Sequence, residues 1–148
     1  MTTTPPAEIG MSLEDVDTPA LLLDLEAFER NLDRMATAIA DKPVKLRPHS
    51  KSHKCAVIGL EQMARGAVGL CCQKVGEAEA MVAGGVHNIL VSNQIVGRPK
   101  LLRLAALTKQ ADWIGVCADH PDNVDQLNEA ANAMDATLNV LVEIDTGA

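Results

Sequence analysis

A chain of 148 residues, 47% hydrophobic and 22% charged, with a formal net charge of −7, has the composition of one soluble globular domain with a real core. The acidic balance, with one phenylalanine (Phe28), one tryptophan (Trp113) and no tyrosine, argues against a nucleic-acid partner, which needs a basic surface and stacking aromatics. No apolar stretch approaches the roughly 20 residues of a membrane helix. The opening "MTTTPPAEIGMSLEDVD" lacks the basic start and apolar run of a secretory signal, so no membrane partner and a cytoplasmic location are expected.

Residues 1–18 are polar, with Pro5, Pro6 and Gly10, and read as a lead-in. "TPALLLDL" is a short strand candidate. "EAFERNLDRMATAIAD" follows, with Phe28, Leu32, Met35 and Ile39 at steps of three and four, the pattern of an amphipathic helix. A regular alternation then begins. The strand candidates are "VKLRPHSK", "AVGLCCQK", "NILVSNQ", "DWIGVCAD" and "LNVLVEID". Between them lie the helix candidates "KCAVIGLEQMARG", "VGEAEAMVAGG", "GRPKLLRLAALTKQA" and "HPDNVDQLNEAANAMDA". Gly84 and Gly85 suit a helix stop, and Pro121 followed by Asp122 suits a helix start. A strand and a helix every twenty-odd residues predict a parallel sheet, and nearly all-apolar strands predict cover on both faces.

Two architectures fit this order: an open doubly wound sheet and a (β/α)8 barrel. The first strand is followed by no GxGxxG loop, which weakens a dinucleotide-binding open sheet. A complete barrel takes about 250 residues. On the barrel reading the five strands supply only its front part, so residues 19–148 are expected to be a partial barrel.

The cations concentrate in "VKLRPHSKSHKC", residues 44–55, where an apolar run ends. If the extended conformation persists, Lys45, Arg47, His49, Lys51 and His53 share one face, and Val44, Leu46 and Pro48 the other. An ionisable face at a strand's C-terminal end suits an α/β-barrel active site. Clustered cations also favour the neutral, nucleophilic form of a lysine among them. The alternative is a strand that ends by Pro48 and continues as a solvated basic loop. His49, His53 and Cys55 are also possible metal donors, but Pro48 and Ser50 argue against the helix that their spacing needs, and no metal ligand is assigned. The four cysteines, Cys55, Cys71, Cys72 and Cys117, form no disulfide framework; Cys71 and Cys72 read as buried small hydrophobes.

Four segments carry a family resemblance: "DTPALLLDLEAFERNL", "LRPHSKSHK", "VGLCCQKVGEAEAMVAGGVHNILVSN" and "LVEIDTGA". They resemble the metal-activated D-threonine aldolase and D-3-hydroxyaspartate aldolase group, to which eukaryotic-type D-serine dehydratase is related. The wider clan is the alanine-racemase-like, fold-type III enzymes that use pyridoxal 5′-phosphate. The resemblance covers about residues 17–148, and the CCQKxxEAE segment is closer to the aldolases than to the dehydratases.

The resemblance implies the N-terminal part of a TIM barrel followed by a mostly β domain outside this chain. It implies that Lys51 carries pyridoxal 5′-phosphate, and that Lys54, of the wrong parity, does not. Arg47 and His49 are expected to line the cofactor ring, with Gln73 and Asn93 at the same mouth. A divalent metal (Mn, Mg or Zn), the phosphate loops and the arginine after "EIDTG" are expected beyond residue 148. The implied reaction cleaves a D-3-hydroxy amino acid to glycine and an aldehyde, in a homodimer. The alternatives are dehydration of D-serine or D-3-hydroxyaspartate, a non-catalytic pyridoxal phosphate homeostasis protein, and an open-sheet binding module without a cofactor lysine.

The remaining polar and sulfur residues read as structural. His87 and His120 are expected at the surface, and Met63, Met81 and Met134 in the core. Glu77 and Glu79 suit a helix start. Glu143 and Asp145 are expected to make structural hydrogen bonds near the mouth.

Overall fold

The computed structural model describes residues 5–147. Five α-helices alternate with four strands: α1 (Leu25–Ile39), α2 (Ala56–Ala64), β1 (Leu70–Cys72), α3 (Val75–Ala83), β2 (Asn88–Val91), α4 (Arg98–Leu107), β3 (Trp113–Ala118), α5 (Pro121–Ala133) and β4 (Asn139–Val142). All strand pairs are parallel, and the sheet order is β1-β2-β3-β4. Strands in sequence order, with no reversal, form a barrel wall rather than a doubly wound sheet.

Local chemistry sets the helix ends. The Asp24 carboxylate accepts the Ala27 N–H at 2.8 Å and starts α1. His120 Nδ1 accepts the Asp122 N–H at 3.2 Å, and Pro121 follows at the first turn of α5. At the end of α3, Gly85 takes φ +96°, so that Val86 N–H reaches Met81 O at 3.0 Å and Gly85 N–H reaches Val82 O at 2.9 Å. This pair of bonds satisfies two carbonyls that the helix end leaves free. Asp135 makes the same closure after α5, at φ +48°.

Leu70, Cys72, Ile89, Val91, Ile114, Val116 and Ala118 alternate onto one face of the sheet and are at most 3% exposed. Ala78, Met81 and Val82 of α3, Leu101, Leu104 and Ala105 of α4, and Leu127 and Ala130 of α5 complete this core. Met63 and Met134 pack against its edge, while His87 and His120 are exposed. Among the described residues these helices cover one face only; the expected cover on both faces is not found, and Cys71, Leu90 and Cys117 on the second face stay half-buried.

Two strand expectations fail. "VKLRPHSK" is no strand: it makes a single parallel bridge, His49 to Cys71. Pro48 has no N–H to continue the ladder, and the bonds are out of step: Val68 N–H to Leu46 O at 3.0 Å, then Cys71 N–H to Pro48 O at 2.7 Å. "TPALLLDL" is irregular, with Leu21, Leu22 and Leu23 all exposed and no strand beside them among the described residues.

Candidate active site

In a parallel sheet, residues in register share a face. Opposite the helix-covered core, the wall presents Asn88 and Trp113 at the starts of β2 and β3, then Cys71 and Leu90, then Cys117 and Leu141 toward the strand ends. The segment Leu46–His49 lies along this face beside β1.

Arg47 occupies the N-terminal end of the wall. Its Nη1 donates to Asn88 Oδ1 at 2.8 Å and to the Asn88 carbonyl at 3.4 Å, and its guanidinium carbon lies 4.9 Å from the Trp113 ring centroid. A side chain on Gly69 would run into the Asn88 carbonyl and Arg47 Nη1, so the absence of one is what lets the guanidinium pass. Burial draws the guanidinium below its ordinary pKa, and the nearby Cys71 acts in the opposite sense.

His49 sits one step toward the strand ends. Its Nδ1 accepts the backbone N–H of Lys51 at 3.2 Å. The ring proton therefore belongs on Nε2, which lies 3.3 Å from Ser92 Oγ. Ser92 in turn reaches the Cys72 carbonyl at 3.5 Å.

Beyond His49 the chain leaves the extended form. Lys54 N–H closes a single turn on Ser50 O at 2.8 Å, with Lys54 at φ +50°. Ser50, 1% exposed, anchors this turn: its N–H and its hydroxyl both donate to Cys71 O, at 2.8 and 3.0 Å. Lys51 is exposed within the turn, and no ion pair engages it among the described residues. The alternation that grouped Lys45, Arg47, His49, Lys51 and His53 on one face thus holds only as far as His49. His53 is a structural residue of the next helix. Its Nδ1 accepts the Cys55 N–H at 3.1 Å just before α2, and burial lowers its pKa. Its Nε2 and Gln62 Oε1 are both buried without a hydrogen-bond partner among the described residues.

Gln73 and Asn93 line one cleft. They share it with Lys54, Lys74, Gln94 and Lys100, and it encloses about 670 Å³ at the C-terminal ends of β1 and β2. Arg47, His49 and Lys51 do not line it, so the five expected site residues fall into two groups. Glu77 Oε2 accepts the Gln73 N–H at 2.7 Å, and Glu79 pairs with Arg103. Both acids therefore have structural work. Glu143 N–H continues the ladder to Ala118 O at 2.9 Å, and Asp145 accepts the Gly147 N–H at 2.8 Å.

Cys71, Cys72 and Cys117 are not poised as nucleophiles. Burial pushes Cys72 up to about 11, and Cys71 and Cys117 also rise, first through burial. Cys72 is the buried hydrophobe expected, whereas Cys71 is half-buried on the inner face. Among the described residues no group of three or more His, Cys, Asp or Glu side chains could hold a metal ion. No helix among them is long and apolar enough to cross a membrane.

Sequence reading missed Ser92, Asn88 and Ser50. Alternation from Leu90 would have placed Asn88 and Ser92 on the inner face. The burial of Ser50 had no local signal.

Comparison with known proteins adds relatives to this geometry. The D-threonine aldolase of Arthrobacter sp is 48% identical over 143 residues, covering 97% of this chain and 38% of the relative. The 3-hydroxy-D-aspartate aldolase of Paracoccus denitrificans is 41% identical over 144 residues, covering 97% of this chain and 37% of the relative. The crystal structure of D-threonine aldolase from Filomicrobium marinum superposes with a TM-score of 0.94 at 56% identity, over 98% of this chain and 39% of that one. Dehydratases of D-threo-3-hydroxyaspartate and D-serine are more distant matches. The chain spans less than two-fifths of the length of the curated relatives named here. The family model for the alanine racemase N-terminal domain matches residues 23–148. The sequential parallel wall and this match together show that the chain belongs to the alanine racemase N-terminal domain family.

Proposed function

We propose that the protein to which this chain belongs is a pyridoxal-phosphate-dependent lyase that cleaves D-3-hydroxy amino acids to glycine and an aldehyde, with Lys51 as the cofactor lysine. The observation that carries this reading is the state of Lys51. Its side chain is exposed and free of ion pairs among the described residues, while its backbone N–H is held by His49 Nδ1 at 3.2 Å beside a parallel barrel wall. A lysine that bonds covalently to a cofactor needs a free amine on a fixed backbone, and Lys51 offers both. The similarity to the two aldolases supports the choice of reaction.

The cofactor, when bound, supplies an electron sink for the pair left when a bond at Cα breaks. The chain's part is positional. His49 and the Ser50 anchor hold the turn that presents Lys51. In the overall reaction the Cα–Cβ bond breaks, the β-hydroxyl loses its proton and becomes the aldehyde oxygen, and Cα gains a proton to give glycine. No described residue set accommodates the divalent metal that the aldolase resemblance implies, and none of these roles passes through one. The hydrogen bond of Arg47 to Asn88 and its stack on Trp113 support a structural role for it on this reading, and Gln73 and Asn93 line the outer cleft.

The test uses the full-length protein. Borohydride should bleach a visible absorbance band and leave a reduced adduct that peptide mapping places on Lys51. An adduct on Lys54 overturns the assignment. D-threonine or D-3-hydroxyaspartate should then give glycine and aldehyde in equal amounts; ammonia and a 2-oxo acid without glycine would show a dehydratase instead.

A further inference from the structure

We propose that Ser92 is a positioning residue for Lys51, acting through the imidazole of His49. The inference rests on the reading of Lys51 as the cofactor lysine. Three contacts on three segments form one chain. Ser92, just past β2, lies 3.3 Å from His49 Nε2. His49 Nδ1 accepts the Lys51 N–H at 3.2 Å. Ser92 Oγ also faces the Cys72 carbonyl at 3.5 Å.

The donor and acceptor roles follow from this arrangement. The Lys51 N–H can only donate, so His49 Nδ1 carries no proton and Nε2–H faces the Ser92 oxygen, leaving the Ser92 hydroxyl proton to the Cys72 carbonyl or the Cys71 thiol. The hydroxyl oxygen accepts from His49 Nε2–H, and Nδ1 stays in the only state in which it can accept from the Lys51 backbone. Without Ser92, Nε2–H has no hydrogen-bond partner among the described residues. The ring can then flip or change tautomer, and a proton on Nδ1 would face the Lys51 N–H donor to donor. No hydrogen bond joins Ser92 to Lys51, so the hydrogen-bonded route between them runs through the ring. Its neighbour Asn93 points to a different place, the outer cleft.

The test compares full-length wild type with Ser92→Ala, Ser92→Thr, His49→Gln and the double variant Ser92→Ala/His49→Gln. The first readout needs no cofactor: nitrogen NMR of histidine-labelled apoprotein reports the tautomer of His49. The Nε2–H form should dominate in wild type and in Ser92→Thr, and mix with the Nδ1–H form in Ser92→Ala. The second readout is titration of apoprotein with pyridoxal 5′-phosphate, followed by the borohydride-reducible band. Ser92→Ala should weaken uptake about three- to tenfold, the effect of losing one hydrogen bond, and Ser92→Thr should restore it. In the His49→Gln background the Ser92→Ala change should have no further effect, because both substitutions break the same chain. An unchanged tautomer in Ser92→Ala, or an equal loss of uptake with and without His49, overturns the proposal. A wild type that forms no reducible adduct sinks the reading of Lys51 instead, and the tautomer measurement still decides whether Ser92 sets the ring.

Discussion

Replacing Arg47 with alanine separates two roles for this residue. The resemblance places Arg47 at the cofactor ring, whereas the structure engages its guanidinium at the N-terminal end of the wall. The substitution removes a charged hydrogen bond of 2.8 Å to Asn88, worth about 1.5–3 kcal/mol. It also removes the stack on Trp113 at 4.9 Å, worth about 0.5–1 kcal/mol at a half-exposed site. The guanidinium no longer lies over Trp113, and Asn88 Oδ1 loses its partner. The loss should therefore come to about 2–4 kcal/mol, a large share of the roughly 5–15 kcal/mol that holds a typical domain. Arg47→Lys should recover less than half, since an ammonium neither stacks flat nor matches the guanidinium's reach. The assay is urea unfolding of full-length apoprotein, paired with cofactor titration under conditions where each variant is folded. The expected pattern is a lowered midpoint with cofactor affinity nearly unchanged. An unchanged midpoint with cofactor affinity reduced tenfold or more would refute the structural role and put Arg47 at the ring.

The core, a helix end and a histidine give three more expected outcomes. Leu104, fully buried between α4 and the sheet, should cost about 2–5 kcal/mol on truncation to alanine, read as a lower unfolding midpoint. Asp135→Gly should stabilise by about 0.5–1 kcal/mol, because Asp135 holds φ +48° where glycine is unstrained, and because an acid at a helix C-terminus opposes the dipole; a lowered midpoint would contradict this. His53 should make stability depend on pH. Burial holds the folded ring below its ordinary 6.5, so the unfolded chain binds the proton first. Its contribution is present in full above about pH 6.5 and is lost as pH falls through the lower folded value. Urea midpoints of wild type and His53→Gln should therefore diverge at pH 7.5 and converge toward pH 5, and parallel curves would exclude His53 as a source.

Much of the fold is written locally, and the exceptions have physical causes. Four of the five helices fall within the periodic segments and α1 starts one residue before its own, at Leu25, because helix ends carry their own chemistry: Asp24, Pro121 and the Gly84–Gly85 pair each act within a few residues of where they stand. β2 and β3 lie within their apolar runs for a similar reason, since Ile89, Val91, Ile114 and Val116 alternate onto a face that helices cover. The segment "VKLRPHSK" reads as a strand by composition, but one missing N–H at Pro48 decides otherwise. Leu21 to Leu23 read as a strand because apolar runs imply burial, yet they find no neighbour among the described residues. The site is legible to the same depth. Parity places Arg47 and His49 on the inner face and then fails, because Lys51 belongs to a turn closed by Lys54 and Ser50. The contacts of Arg47 with Asn88, and of His49 with Ser92, join residues more than forty positions apart, and only the register of the sheet brings them together.

That register gives the wall its division of labour. Each strand spends alternate residues on two tasks. Leu70, Cys72, Ile89, Val91, Ile114 and Val116 hold the helices, while Cys71, Leu90, Cys117 and the residues flanking them face the other way. A substitution on the first set leaves a cavity in a closed core, where every lost methylene is felt. A substitution on the second set changes a half-buried surface that has no covering layer among the described residues, so it should alter chemistry at little cost in stability. Arg47 is the exception on that face, because its partners Asn88 and Trp113 stand at the starts of two different strands. Its contacts tie the strand beginnings together at the N-terminal end of the wall. His49 and Ser92, one step further along, face the end where Lys51 is presented. Stability at one end and chemistry at the other is the polarity by which α/β barrels separate the two. On the proposed reading of Lys51 the same polarity holds here: of two alternating inner-face residues, Arg47 has partners that hold strands together and His49 a partner in the turn of Lys51.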